Sequence, residues 1–186
     1  MKYICFVCLW IAALTGICFA RDRAVNVDLG QDIAANVIFM RHALAPGFGD
    51  PSDFDVDDCT TQRNLDKAGR DQATKIGAFF KANSVQFDRI LTSQWCRCQD
   101  TAQLMGLGTS EPFAGLNSFF QDYADRQTVL RLLRSELETL DSHEKVLMVT
   151  HQVVIAAVTG LSTASGGMVA YNSNTGEARA LPKIPY

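Results

Sequence analysis

Arg41-His42, Arg97 and Thr150-His151 are the points where this sequence sets chemistry-bearing side chains against apolar runs. The chain has 3 histidines. His42 follows Val37–Met40, and His151 follows Lys145–Thr150, both runs of buried character. The third, His143, lies in the polar stretch DSHEKV and reads as solvated. Arg97 comes shortly after Ser93, where the run FDRILTS ends. Taken singly, each has an ordinary reading: a surface cation, a hydrogen-bonded core histidine, a helix residue. Taken together, two imidazoles and two guanidiniums suit a phosphoryl group. Its equatorial oxygens need positively charged donors, which arginine supplies in a planar fork. A neutral imidazole is a competent nucleophile near neutral pH, where lysine is protonated and serine needs a base. The chemistry on offer is phosphoryl transfer through a phosphohistidine, with no metal or cofactor called for.

Such residues need a scaffold that brings them together, and the hydrophobic pattern supplies one. Val37–Met40, FDRILTS, Lys145–Thr150 and Gly167–Tyr171 read as strands. LDKAGRDQATKIGAFFKAN has Ala68, Ala73, Ile76, Phe79 and Phe80 near helical spacing, with Asp66 as N-cap. QWCRCQDTAQLMG reads as a short helix stopped by Gly106. DRQTVLRLLRSELETL is amphipathic, with Val129, Leu130, Leu133, Leu137 and Leu140 inward. QVVIAAVTGL follows His151 as an apolar helix. Pro46–Cys59 and Gly106–Gly115 read as loops, and Gly167–Tyr171 as the last strand. Strands alternating with helices imply an α/β fold, a three-layer α/β/α sandwich on a mostly parallel sheet. Ligands in such folds bind at the carboxyl ends of the strands, where Arg41, His42, Arg97 and His151 would meet.

Length and composition bound the rest. The 186 residues suit one domain with a full core. A net charge of −3 and the lack of a Lys/Arg block argue against nucleic-acid binding. Residues 1–20 read as a signal peptide: one basic residue, an apolar run, then Cys18 and Ala20 at a small-x-small cleavage site. A retained anchor is the competing reading, because the run approaches spanning length. Cleavage would leave residues 21–186 as a single domain, periplasmic or secreted, with no stable membrane span. Cys59, Cys96 and Cys98 would remain. Export favours one disulfide and one thiol, and Cys96 and Cys98 are too close to pair without strain. A bond from Cys59 to either of them is expected. The alternating Asp53, Asp55 and Asp57 resemble a calcium loop, but Asp58 and Asn64 stand where an EF-hand needs Gly and Glu. A solvated loop near the pocket is the expectation, its charge offset by Arg63 and Arg70. Trp95 is expected to pack on that loop.

MRHA, LDKAGRDQA, TSQWCRCQDTA and VTHQ resemble, in order, the motifs of the histidine phosphatase superfamily, in its phosphoglycerate-mutase-like branch. The resemblance spans roughly residues 36 to 160. It implies that His42 is the nucleophile and that Arg41, Arg97 and His151 clamp the transferring group. Several positions depart from the family pattern. Ala43 takes the place of a glycine, Gln94 of a proline, Cys98 of an alanine and Asp100 of a glutamine. Asn117 falls near the usual glutamate, and Gln152 stands where another branch has an aspartate. The acid that protonates the leaving group must come from elsewhere. Asp122 is the candidate, since its loop should border the site and burial can raise a carboxyl pKa. Asp125 and the acidic loop compete with it, and Asp122 could equally cap the next helix.

The expectation is an exported phosphatase acting on a phosphomonoester, a small phosphorylated substrate such as a sugar or envelope-glycan phosphate. The alternatives are a phosphohistidine-protein phosphatase and a non-catalytic phosphate- or phosphosugar-binding protein. Oligomeric state is not legible in the sequence.

Overall fold

The computed structural model describes residues 28–184, so the expected signal peptide lies outside the described residues. Its strands are β1 Val37–Arg41, β2 Arg89–Thr92, β3 Glu111–Pro112, β4 Val146–Thr150, β5 Met168–Tyr171 and β6 Ala178–Ala180. Four α-helices join them: α1 Lys67–Ala82, α2 Cys96–Met105, α3 Arg126–Thr139 and α4 Gln152–Thr159. They make one sheet in the order β3-β2-β4-β1-β5-β6. Neighbours are parallel from β3 through β1, while β5 runs antiparallel to both β1 and β6.

Strand side chains alternate between two faces, and here both faces are covered. Ile38, Met40, Ile90, Leu147 and Val149 pack with Ala73, Ile76 and Phe80 of α1 and with Ala102 and Met105 of α2. Val37, Phe39, Leu91, Val146 and Met148 pack with Val129, Leu133 and Leu137 of α3 and with Val154 and Ile155 of α4. The result is the expected three-layer sandwich on a mostly parallel sheet. Burial of each large aliphatic or aromatic side chain contributes about 1.5–3 kcal/mol, which makes the sheet a stiff platform.

Local signals account for most of the boundaries. Asp66 caps α1 by accepting from the Gly69 amide at 2.8 Å, as its sequence position suggests. Gly106, at φ 61, ends α2 in the left-handed region that suits glycine. α3 is capped by Asp125, which accepts from the Thr128 amide at 2.8 Å, and not by Asp122. Two short strands were not expected. β3 lies inside the segment read as a loop, and β6 follows the strand read as the last. Both are edge strands of two or three residues, too short to show an alternating pattern.

Candidate active site

Strand register brings the chemistry-bearing residues together. Arg41 of β1 is level with Thr150 of β4, and Thr92 of β2 is level with Val149. His42, Ser93 and His151 are each one residue past the ends of their strands. The pairing continues there, with the His42 amide donating to Thr150 O and the Ser93 amide to Val149 O. The His42 and His151 rings therefore lie 5.5 Å apart, edge to face. Arg97, on the first turn of α2, reaches the same place. Arg41, His42, Arg97 and His151 line one cleft of about 290 Å³ at the carboxyl edge of the sheet. A larger cavity of about 670 Å³ opens at the opposite edge and contains none of them.

His42 is buried, and its Nδ1 lies 2.7 Å from the Ala43 carbonyl. A carbonyl can only accept, so Nδ1 carries the proton and the lone pair of the neutral ring sits on Nε2. Burial, then the charge of Arg97, lowers its pKa to about 3, so the ring is neutral at physiological pH. Ala43 is fully buried and is not among the residues with positive φ. Its amide donates to Thr101 Oγ1 at 3.0 Å, so the turn accepts a Cβ where the family has glycine.

Arg97 has an unforeseen partner. Its two terminal nitrogens donate to the two carboxylate oxygens of Asp50, at 2.7 and 3.0 Å. Trp95 Nε1 donates to the same carboxylate at 3.1 Å, and the Arg63 amide does so at 3.0 Å. Burial raises the Asp50 pKa, but the guanidinium outweighs it, and the net shift is downward. Asp50 is an ionised carboxylate. Arg63 also lines the cleft, held by Gly49 O and Ala45 O. Three guanidiniums against one carboxylate leave the cleft a net positive charge of two, matched to a phosphomonoester dianion. The Nε atoms of Arg41 and Arg97 are buried donors without a hydrogen-bond partner among the described residues. Arg70 pairs instead with Asp100, away from the cleft.

His151 is held by a directional chain. Asn117 Nδ2 donates to Gln94 Oε1, which leaves Asn117 Oδ1 to accept from Ser93 Oγ at 3.2 Å. Ser93 Oγ then accepts from His151 Nε2 at 2.8 Å, and His151 Nδ1 faces Arg97 Nη2 at 3.4 Å. Burial and Arg97 hold His151 well below the ordinary imidazole pKa. Asn117, in the place of the family acid, thus orients a histidine. Gln152, in the other acid position, accepts from Arg41 Nη1 at 3.0 Å.

The loop after β1 is fixed to α2 beyond the Asp50 contact as well. Cys59 is bonded to Cys96, with Cα atoms 5.8 Å apart, and Cys98 is the buried free thiol. α2 begins without a side-chain cap of its own. Gln62 Oε1 takes that place, accepting from the Cys96 amide at 2.9 Å. Trp95 stacks on Phe54 of the loop at 4.7 Å, as its expected packing role requires.

The structure therefore unites Arg41, His42, Arg97 and His151 but does not bring Asp122 to them. Asp122 is exposed, at φ 61, and does not line the cleft. The cleft's carboxylate is Asp50, the first acidic residue of the loop named above as a competitor. Position in that loop was its only sequence signal. Among the described residues no group of three or more His, Cys, Asp or Glu side chains is placed to hold a metal ion, and no helix is long and apolar enough to cross a membrane.

Residues 37–119 match the model of the histidine phosphatase superfamily (branch 1). A search of curated protein sequences finds no match. Among solved structures, the protein histidine phosphatase SixA complexed with tungstate superposes with TM-score 0.52 at 19% identity, covering 77% of this chain and 92% of that one. A putative alpha-ribazole-5'-P phosphatase from Escherichia coli str. K-12 substr. MG1655 gives 0.56 at 18%, covering 79% and 95%. Phosphoglycerate mutase from Thermus thermophilus gives 0.52 at 16%, covering 80% and 99%. At these identities the likeness establishes the fold.

Proposed function

We propose that this histidine phosphatase superfamily chain hydrolyses a phosphomonoester through a phosphohistidine on His42. The observation that carries the reading is the His42 tautomer: Nδ1 is committed to Ala43 O, so Nε2 is left as nucleophile in a cleft lined by three guanidiniums. His42 Nε2 attacks phosphorus as the bond to the leaving oxygen breaks. Arg41, Arg63 and Arg97 bind the phosphoryl oxygens and stabilise charge in the transition state. Neutral His151, donating through Nε2 to Ser93 Oγ and facing Arg97 with Nδ1, positions Arg97 rather than taking the clamping role expected of it. Water then attacks phosphorus, the P–N bond breaks, and phosphate leaves with His42 restored to the neutral form. Asp50 is a positioning residue that holds Arg97. It is ionised, so the cleft offers no carboxylic acid to the leaving oxygen, which takes its proton from water.

The test is rapid mixing with a phosphomonoester, a quench without acid, and peptide mapping of the phosphorylated residue. Label on His42, lost in His42→Ala, is expected. Label on any other residue would overturn the mechanism. Residues 21–186 are taken as one exported domain, periplasmic or secreted. The Cys59–Cys96 bond supports this, since such bonds persist in oxidising compartments.

The lack of an acid favours a second reading. A protein phosphohistidine has a leaving group that needs less protonation than an alcohol, and one structural relative is named a protein histidine phosphatase. Dephosphorylation of a phosphohistidine protein at a kcat/KM well above that for phosphomonoesters would select it. A protein that binds phosphate yet turns over neither class would be a binding protein.

A further inference from the structure

Large apolar side chains that stand exposed among the described residues are Leu44, Phe48 and Phe120. Phe48 and Phe120 both line the cleft, and Leu44 is two residues past His42. Single exposed apolar residues scattered over a surface need no explanation, but a contacting pair such as Phe48 and Phe120 in one cleft lining does. Phe48 is 87% exposed, at a loop tip between Gly47 and Gly49. Its ring meets Phe120 edge to face, with centroids 5.2 Å apart.

The pair is a built arrangement. Phe120 begins a tight turn in which Gln121 and Asp122 both have positive φ, 62 and 61. This region costs a non-glycine residue about 1–2 kcal/mol, so surrounding contacts must hold it. Gln121 Oε1 accepts from the Asp50 amide at 3.0 Å. Gly49 makes room for that contact, since a Cβ there would lie 2.1 Å from Gln121 Oε1. Tyr123 Oη donates to Pro51 O at 2.6 Å. Two loops, each presenting one phenylalanine, are thereby tied together with backbone strain concentrated at the cleft mouth.

Proton supply restricts what this mouth can take. Arg41, Arg63 and Arg97 surround the phosphoryl position beside His42, and Phe48 and Phe120 stand in the lining of the same cleft. With no carboxylic acid in the cleft, a leaving oxygen of low basicity is favoured. A phenol, with a pKa of about 10, leaves far more readily than an aliphatic alcohol.

We propose that Phe48 and Phe120 form a platform for an aromatic leaving group, and that the substrate class is an aryl phosphomonoester. The proposal rests on the phosphomonoesterase reading and narrows it to one leaving-group class. In the reaction the phenolate departs as the His42 P–N bond forms, takes a proton from water, and leaves the phosphoryl group to be hydrolysed.

Calorimetric binding to His42→Ala tests the platform without turnover. 1-Naphthyl phosphate is expected to bind at least about tenfold tighter than 3-phosphoglycerate or glucose 1-phosphate, a preference within reach of one aromatic contact plus its buried area. Adding Phe48→Ala should shrink that ratio to about twofold. Phe48 is so exposed that its removal does not threaten folding. Equal affinities, a glucose 1-phosphate affinity that matches naphthyl phosphate, or a Phe48→Ala effect shared by all three ligands would overturn the proposal. If naphthyl phosphate shows the preference but His42 never becomes phosphorylated, the platform stands and the phosphatase reading fails.

Discussion

Asp50 and Arg97 form a two-pronged ion pair between side chains only 5% and 3% exposed, at the centre of the cleft. It joins the loop after β1 to the first turn of α2, in the cleft that His42 lines. Removing one partner would leave a buried charge uncompensated. Asp50→Ala should therefore lower unfolding free energy by about 3–5 kcal/mol, measured by urea denaturation. Asp50→Asn, which keeps one acceptor, should cost less. Loss of kcat/KM should follow loss of Arg97 alignment in both variants.

Arg41 is a different case, because it is only half-buried and carries no ion pair among the described residues, with Gln152 Oε1 and Thr163 O as neutral partners. Arg41→Ala is expected to leave the thermal midpoint nearly unchanged. Its kcat/KM should fall by roughly 10²–10³, as for removal of a transition-state charge donor. Equal losses of stability and activity would show that Arg41 is structural.

Both buried histidines bind protons less readily in the folded chain than in the unfolded one. For His42 this holds from the ordinary 6.5 down to about 3, and His151 shifts in the same direction. Across that window the unfolded state holds more protons, so stability rises with pH and is lost on acidification. The slope approaches about 1.4 kcal/mol per pH unit for each histidine. Thermal melts should show a steep fall between about pH 6.5 and 4, shallower in His42→Asn. A flat profile would contradict the neutral, buried rings.

The Cys59–Cys96 bond closes a loop that contains Arg63 and ends one residue before Arg97. Reduction, or the Cys59→Ser/Cys96→Ser variant, should cost about 3–4 kcal/mol. It should also raise KM, because the segments that carry these two guanidiniums lose their covalent tether. Cys98 should behave otherwise. Burial pushes its pKa up to about 12, so alkylation followed by peptide mapping should find it unmodified until the protein is denatured.

Much of this was legible in the chain, because strand and helix periodicity and caps such as Asp66 and Gly106 are local properties. So was the meeting of Arg41, His42, Arg97 and His151, since residues that follow strands of one parallel sheet share an edge. The cysteine pattern narrowed the disulfide to two candidates, and only packing chose Cys96 over Cys98, by placing Cys98 beside His151. The missing acid shows where local pattern stops. Asp122 was placed by its loop's position in the chain, but backbone at positive φ leaves it exposed. Asp50 was one aspartate in an acidic run until the fold brought Arg97 to it across 47 residues. The types and order of the side chains that line the cleft are written in the sequence. Which carboxylate meets which guanidinium depends on how distant loops pack, and only the tertiary structure decided it.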